Sequence, residues 1–542
     1  MGSGSNVAQQ SAAKGFAVLT ISMVLTKLLS ILYVPVLRQI LGKVGIGVYS
    51  SAYTIFAFIY ILANAGIPVA ISKMVSELIA LENYKDALKT FRIARTMLVV
   101  LGTAISIIML IVALPLAKLV NSTEAVIAIR ALAPSIFITT ILSAYKGYFQ
   151  GRGNMTPTAV SQIAEQIFNI IFSLACAYLL FPLGDSFGAA GGTVGTTVGA
   201  IVAAIYLIYV FEKEKKFHIP KNKSDINVKR ISSRKLFKMI LAYAVPITVG
   251  VGLQNAGMLM DIWIVKSRLL FSGFDQSKVE ILWGVLYQYN TLVSVPMALI
   301  GSLSISILPI VARHNAIEDR KSLKSSINSI YRVTYIISVP CAFGLAVLSK
   351  PILTLIGYDI DASVLFVYGL IVLILTAISL IQTSVLQGVG KVKQITVYSV
   401  IGLVGKIIIN YLLVAIPAIN ILGAVIGNGV SFLIIVILNQ ILINKSLKIK
   451  IKLIKPSIKP IVSSIAMSIA TYFTYKFVSY SLSFILGGYL LNAIATIIAI
   501  IIAVICYLLI LVFIGGIKKS DLNAMPRKII KLIPERVIEK LK

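Results

Sequence analysis

Four side chains stand where charge is costly. Lys27, Glu165, Asp261 and Lys406 each fall inside or at the end of a long apolar run. In hydrocarbon an ionisable group is expensive unless it pairs with something, so each is a candidate for binding or gating. Lys27 is about twelve residues into its run, too deep to reach the near interface easily, and a cation there suits an anionic ligand. Its other reading is a long stem extended to the far interface. Glu165 and Lys406 lie on runs that correspond in the two halves of the chain, so an acid and a base could meet and bias one state of a carrier. Glu165 could equally bond within its own half. Asp261, near Lys266 and Arg268, is a second candidate coupling carboxylate, or one member of an interfacial ion pair. Arg38 and the deep amides Asn64, Asn255 and Asn290 complete the candidate substrate set, although such amides often only bond neighbouring helices.

The elements that must hold these groups are membrane helices. Hydrophobic residues make up 58% of 542 positions and charged residues 13%, with a mean hydropathy of +0.95. A soluble domain is nearer half apolar and a quarter charged. The excess gathers in runs of about 20 residues, the length that crosses a ~30 Å hydrocarbon core. The expected fold is an all-α polytopic membrane protein with fourteen spans, near 15–37, 46–69, 92–114, 125–146, 157–181, 188–211, 236–265, 280–308, 330–349, 362–387, 394–416, 423–444, 457–477 and 484–515.

The chain also repeats itself. Gln150-Gly151-x-Gly153 is answered by Gln387-Gly388-x-Gly390, and Gly47-Val48 by Gly284-Val285, both at an offset of 237. GGTVGTTV at 191–198 answers to GAVIGNGV at 423–430. Duplicated halves in an apolar chain suggest a carrier with its site between them. The organisation expected is an N-lobe over 1–211, a basic linker at 212–235, a C-lobe over 236–445, two added spans in 446–516, and an amphipathic tail at 517–542 lying on the inner leaflet.

Charge placement sets the orientation. With the N-terminus inside, 39 of the 50 Lys and Arg fall in cytoplasmic segments, 8 in outer loops and three within spans. That asymmetry is the positive-inside rule, and it accounts for most of the net charge of +31 without nucleic acid. Both termini are then cytoplasmic. No cleavable signal peptide is expected. The three cysteines, Cys176, Cys341 and Cys506, sit in apolar runs without metal-ligand spacing, which suits packing. No P-loop or histidine cluster points to catalysis, so no enzyme activity, catalytic residue, metal or cofactor is expected. Transport would then draw on the membrane potential or on H+ or Na+.

At residues 27–77 the chain resembles a known family. The motifs are LG-x-x-G-x-G-x-Y at 41–49, GIPVAISK at 66–73 and, further on, GYFQGRGNMTPTAVSQIAEQ at 147–166. They are similar to the MurJ-like lipid II flippases, in the branch that includes stage V sporulation protein B, within the multidrug/oligosaccharidyl-lipid/polysaccharide (MOP) exporter superfamily. The resemblance implies a V-shaped, MATE-like two-lobe fold in a bacterial cytoplasmic membrane. It implies a cationic cavity for the diphosphate of undecaprenyl-linked peptidoglycan precursor, with the tail in lipid beside the last two spans. Lys27 falls where these flippases carry a cavity cation on the first span. Two further arginines of the proteobacterial members correspond to Tyr33 and to the neighbourhood of Asn290, so the cavity here is less cationic. Lys406 stands on the span where some relatives hold sodium with carboxylates. Partners expected are the lipid-linked glycan diphosphate, membrane lipids and cell-wall synthesis proteins, for a monomeric carrier. Rival substrates are another lipid-linked glycan, of capsular, teichuronic or O-antigen type, or drugs carried by an ion-coupled exporter. A non-transporting partner of a cell-wall synthase is a further alternative.

Single cysteines placed in the 212–235 linker should resist impermeant thiol reagents in intact cells, whereas ones beside Asp185 or Asn420 should react. Labelling of the linker would overturn the orientation.

Overall fold

The structure is a computed structural model, and it describes residues 12–214, 230–316, 318–448, 451–484 and 487–516. The amphipathic tail expected at 517–542 and the linker residues 215–229 lie outside the described residues. Helices make up the described chain, with no strand among those residues. In order they are α1 (Ala12–Asn64), α2 (Gly66–Ala80), α3 (Tyr84–Ile111), α4 (Ala113–Leu119), α5 (Val126–Gly151), α6 (Thr156–Leu180), α7 (Asp185–Glu214), α8 (Ser233–Asn255) and α9 (Gly257–Phe271). Then follow α10 (Gln276–Ala316), α11 (Arg320–Val347), α12 (Ser349–Ile356), α13 (Ser363–Gly388), α14 (Val392–Leu413), α15 (Leu422–Leu447), α16 (Ile458–Leu482) and α17 (Gly488–Phe513).

Twelve segments among the described residues are long and apolar enough to cross a bilayer. The fourteen expected from sequence differ from these at two places. Ile21–Ala80 counts as one segment of 60 residues, although Gly42 breaks the helix there at φ 70° and ψ −173°. The 41-residue α10 is not among the twelve. A second interruption falls at Ala65, between α1 and α2. Pro68, in the first turn of α2, has no N–H for the Asn64 carbonyl, and its ring crowds that carbonyl. The helices keep apolar side chains outward: Ile111, Tyr178, Leu179, Phe477 and Phe513 are between 70% and 92% exposed. Such a surface is stable in lipid, where every backbone polar group is satisfied inside its own helix.

The duplication is visible in hydrogen bonds. At the end of α5, Gly153 N–H donates to the Gln150 carbonyl and Asn154 N–H to the Phe149 carbonyl, each at 3.0 Å. At the end of α13, Gly390 N–H donates to the Gln387 carbonyl at 3.0 Å and Lys391 N–H to the Leu386 carbonyl at 2.9 Å. Both are Schellman caps closed by a glycine, at φ 75° and 79°. The glycine-rich helices behave alike too. A Cβ on Gly191, Gly195 or Gly199 of α7 would overlap the carbonyls of Cys176, Asn169 or Glu165 on α6. Gly423 of α15 lies against the Leu413–Val414 backbone next to α14. Small residues at four-residue intervals let membrane helices approach this closely.

Contacts divide the described chain into two compact units. One takes residues up to 267 together with 275–284, and the other takes 268–274 and everything from 285. The first unit therefore includes α8. Two hydrogen bonds tie its entry to α3: Ile231 N–H donates to Asp86 Oδ2 at 2.9 Å, and Lys89 Nζ donates to the Ile231 carbonyl at 3.0 Å. Further along, Gly66 packs directly on the Ala244 carbonyl. An aromatic cluster of Phe91, Tyr145, Tyr148 and Phe211, with centroids 4.8 to 5.4 Å apart, fills this unit between α3, α5 and α7.

The strongest tie in this unit is ionic. Lys266 Nζ of α9 lies 2.6 Å from Glu280 Oε1 of α10, and the two side chains are 0% and 2% exposed. Lys266 also donates to Ser51 Oγ at 2.6 Å, and Gln276 Nε2 reaches Glu280 Oε1 at 3.4 Å. Glycine makes room for it. A Cβ on Gly47 would overlap the Glu280 carbonyl, and one on Gly284 would stand 3.3 Å from Gly47 N. The two glycines that the repeat equates thus meet where α1 crosses α10. Removing one partner of such a pair strands a buried charge, at a cost of about 3–5 kcal/mol, whereas replacing both with apolar residues is often neutral. Lys266→Met or Glu280→Gln alone should lower the melting temperature of the purified protein sharply. The double variant Lys266→Met/Glu280→Gln should recover most of the loss. Simply additive losses would show that the pair does not hold these helices together.

Candidate functional site

A polar seam runs through the first unit along α1, α5 and α6. Ser22, Thr26 and Ser30 recur every four residues, so they share one face of α1. Gln162 and Gln166 share a face of α6 for the same reason. Ser22 Oγ donates to Gln162 Oε1 at 2.9 Å, and Gln166 Nε2 reaches Ser30 Oγ at 3.4 Å. Glu165, between these amides, is paired with Lys146 of α5: Nζ to Oε2 is 3.0 Å, with the side chains 14% and 24% exposed. Glu165 also interacts electrostatically with Tyr53 and Tyr60 on the second limb of α1. Those tyrosines belong to an aromatic row, Tyr49, Tyr53, Phe56 and Tyr60, with successive centroids 5.5 to 5.8 Å apart. Asn64 closes the seam. It donates through Nδ2 to the Tyr60 carbonyl at 2.9 Å, and its Oδ1 accepts from Ser143 Oγ of α5 at 2.6 Å.

Lys27 is an i, i+3 neighbour of Ser30, one position round the helix from the Ser22–Thr26 face. It is exposed, among exposed Met23, Leu25 and Leu28. Among the described residues it has no hydrogen-bond or ion-pair partner, in contrast to the paired Lys146 and Lys266. An ammonium on an apolar helix with no fixed carboxylate beside it carries a charge that an anion can offset.

The other candidates have separate settings. Arg38 is half-buried on the first limb of α1, and Asp261 is half-buried on α9. Asn255 ends α8 at the break before α9 and donates back to the Val251 carbonyl at 2.8 Å. Asn64 makes the same i−4 bond at its own helix end, and both asparagines open an Asn-Ala-Gly sequence. Lys406, half-buried on α14, and Asn290, exposed on α10, belong to the second unit. Tyr33, which stands where proteobacterial relatives were expected to carry arginine, is buried and donates its hydroxyl to the Gly192 carbonyl at 2.9 Å. It is a packing residue. Gln382 also spends its amide between helices, donating to the Val436 carbonyl at 3.2 Å and to Gln440 Oε1 at 3.1 Å. Among the described residues, no three His, Cys, Asp or Glu side chains come together as a metal site would require.

The structure adds residues that sequence reasoning passed over. Lys146 was legible in principle, because the 150–153 turn places it and Glu165 at similar depth on the two limbs of a helical hairpin. Glu280 is the first residue of the span expected at 280–308, where a carboxylate reads as interfacial. Only its four-residue spacing from Gln276 and Gly284 marks it as facing inward.

Comparison with known proteins gives one consistent neighbourhood. The family described as "Polysaccharide biosynthesis protein" matches residues 12–313, and the MatE family matches 284–412. The lipid II flippase MurJ of Bacillus subtilis (strain 168) is 24% identical over 454 residues, covering 80% of this chain and 82% of its own. Stage V sporulation protein B of the same organism is 23% identical over 449 residues, covering 82% and 86%. In three dimensions the chain is similar to a lipid II flippase MurJ in an inward closed conformation, with a TM-score of 0.66 at 16% identity, covering 91% of this chain and 98% of that one. It is also similar to an inward-facing multidrug resistance MATE family transporter of the MOP superfamily, with a TM-score of 0.64 at 16% identity, covering 80% and 99%. These structural likenesses establish a MurJ- and MATE-like all-α membrane fold, and with the match over 12–313 the chain belongs to the polysaccharide biosynthesis protein family.

Proposed function

We propose that this protein is a flippase that moves an undecaprenyl-diphosphate-linked peptidoglycan precursor, lipid II, from the inner to the outer leaflet of a bacterial cytoplasmic membrane by alternating access. Both termini are cytoplasmic in this reading, as the charge asymmetry requires. The observation that carries it is Lys27. A diphosphate headgroup needs a cation to enter a low-dielectric layer, and Lys27 is a membrane-helix cation with no carboxylate partner among the described residues. The relatives named for lipid II flipping and sporulation support the same assignment. Paired carboxylates such as Glu165 serve the helix seam and leave the cation to the ligand. Coupling is to the membrane potential or to an ion gradient, with Asp261, half-buried on α9, as the carboxylate placed to sense it.

A second reading keeps the mechanism and changes the cargo to another lipid-linked glycan, which the polysaccharide biosynthesis family match favours equally. A drug exporter rests on the MATE likeness, which at 16% identity speaks for the fold alone.

The test is growth of cells depleted of their own lipid II flippase. The wild-type gene should restore growth. Lys27→Ala should fail to do so at equal membrane protein level, and Lys27→Arg should retain part of the activity. Failure of the wild-type gene, where the Bacillus subtilis relative succeeds in the same cells, would move the substrate to another lipid-linked glycan. A fully active Lys27→Ala variant would remove Lys27 from the headgroup site.

A further inference from the structure

The second unit holds a cavity of about 550 Å³ unlike any other surface described above. Five cations line it: Lys324 and Arg332 from α11, and Lys452, Lys455 and Lys459 from the approach to α16 and its first turn. Among the described residues that line it, none is acidic. The spacing is what a helix needs to aim them together. Lys324, Asn328 and Arg332 recur every four residues on α11, as Lys455 and Lys459 do where the chain enters α16. Lys459 Nζ donates to the Gly515 carbonyl at 2.8 Å, which brings the end of α17 into the wall.

Two further features suit an anion. The N-terminus of the 25-residue α16 opens at this cavity without a side-chain cap. Ser457, which could supply one, turns its hydroxyl back to the Ile454 carbonyl at 2.7 Å. A 3-10 turn, Lys455–Ser457, leads into the helix here, and the helix dipole adds positive potential to that of the lysines. Beside the lining residues in sequence, Ile454 is 74% and Phe513 92% exposed. Apolar surface thus adjoins the cationic pocket, as a lipid with a charged head and apolar tails requires.

We propose that this pocket binds the phosphate headgroup of a lipid in the cytoplasmic leaflet, at a site separate from Lys27. The sidedness rests on the orientation adopted under the proposed function, which puts the start of α11, the start of α16 and the end of α17 at the inner face. Basic pockets between membrane helices on that face select anionic headgroups, each Lys or Arg adding to the attraction. The same phosphate chemistry is offered by phosphatidylglycerol and by a prenyl diphosphate.

The site is tested by native mass spectrometry on the full-length protein, titrated separately with phosphatidylglycerol, a short prenyl diphosphate, phosphatidylcholine and inorganic phosphate. Retention of either anionic lipid should exceed that of phosphatidylcholine. It should weaken roughly tenfold to thirtyfold in Lys452→Gln/Lys455→Gln. Lys391→Gln/Lys393→Gln, which removes the same charge from the turn before α14, should leave retention unchanged. Whichever anionic lipid shows the pocket-dependent loss identifies the source. Equal loss in both double variants would reduce the effect to net charge and overturn the site. Saturation by inorganic phosphate with no lipid retained would overturn the lipid assignment. Retention is read without transport, so its failure leaves the flippase reading standing, and a failed complementation leaves this site standing.

Discussion

The cost of an unpartnered charge in hydrocarbon governs this molecule more than any packing rule. Lys266 and Glu280 tolerate almost complete burial because they lie 2.6 Å apart, with Ser51 and Gln276 supplying further hydrogen bonds. Glu165 is tolerated because Lys146 meets it at 3.0 Å. Lys27, by contrast, has no such partner among the described residues. A membrane helix that carries an uncompensated cation gives up roughly 3 kcal/mol on insertion scales, and a ligand that arrives with its own negative charge offsets the loss only while bound. The same constraint thus separates the groups that hold the first unit together from the one proposed to meet a substrate.

Duplication explains how helices come close enough for such pairs to form. The two QG-x-G turns close with matching Schellman bonds, so corresponding helices end alike in each half. Gly47 and Gly284, equivalent in the repeat, lie against each other, and Gly47 leaves space for the Glu280 backbone. A side chain at Gly47 would displace α10 and open the Lys266–Glu280 pair to lipid or water. Glycine here sets an electrostatic distance.

Much of this was legible in the sequence, and what escaped has identifiable causes. Composition and run length give the all-helical membrane class, and the repeated glycine turns give the duplication before any contact is known. The interruption near Asn64 follows from Pro68. Pair identities were harder. Glu165 has a partner 19 residues away across its own hairpin, and a corresponding position in the other half is an equally natural expectation until side-chain directions are known. Glu280 escaped because apolar run length marks where a span begins, while burial of its first turn depends on α1 and α9. The grouping of α8 with the N-terminal half comes from its packing on α2, where Gly66 meets the Ala244 carbonyl, and from Asp86 and Lys89 holding Ile231 at its entry, contacts that no periodicity reports. The cationic pocket is scattered over three helices, and in sequence its lysines are indistinguishable from ordinary positive-inside charge.

The central claim is that the cargo is recognised through negative charge on its headgroup. The most direct measurement places the purified protein in liposomes. It then follows, by impermeant quenching, the leaflet exchange of a fluorescent prenyl-diphosphate glycan and of a neutral glycolipid with the same prenyl chain and sugar. The account predicts protein-dependent exchange of the diphosphate and background exchange of the neutral lipid. Equal movement of both, or movement of neither alongside transport of a cationic dye, would contradict it.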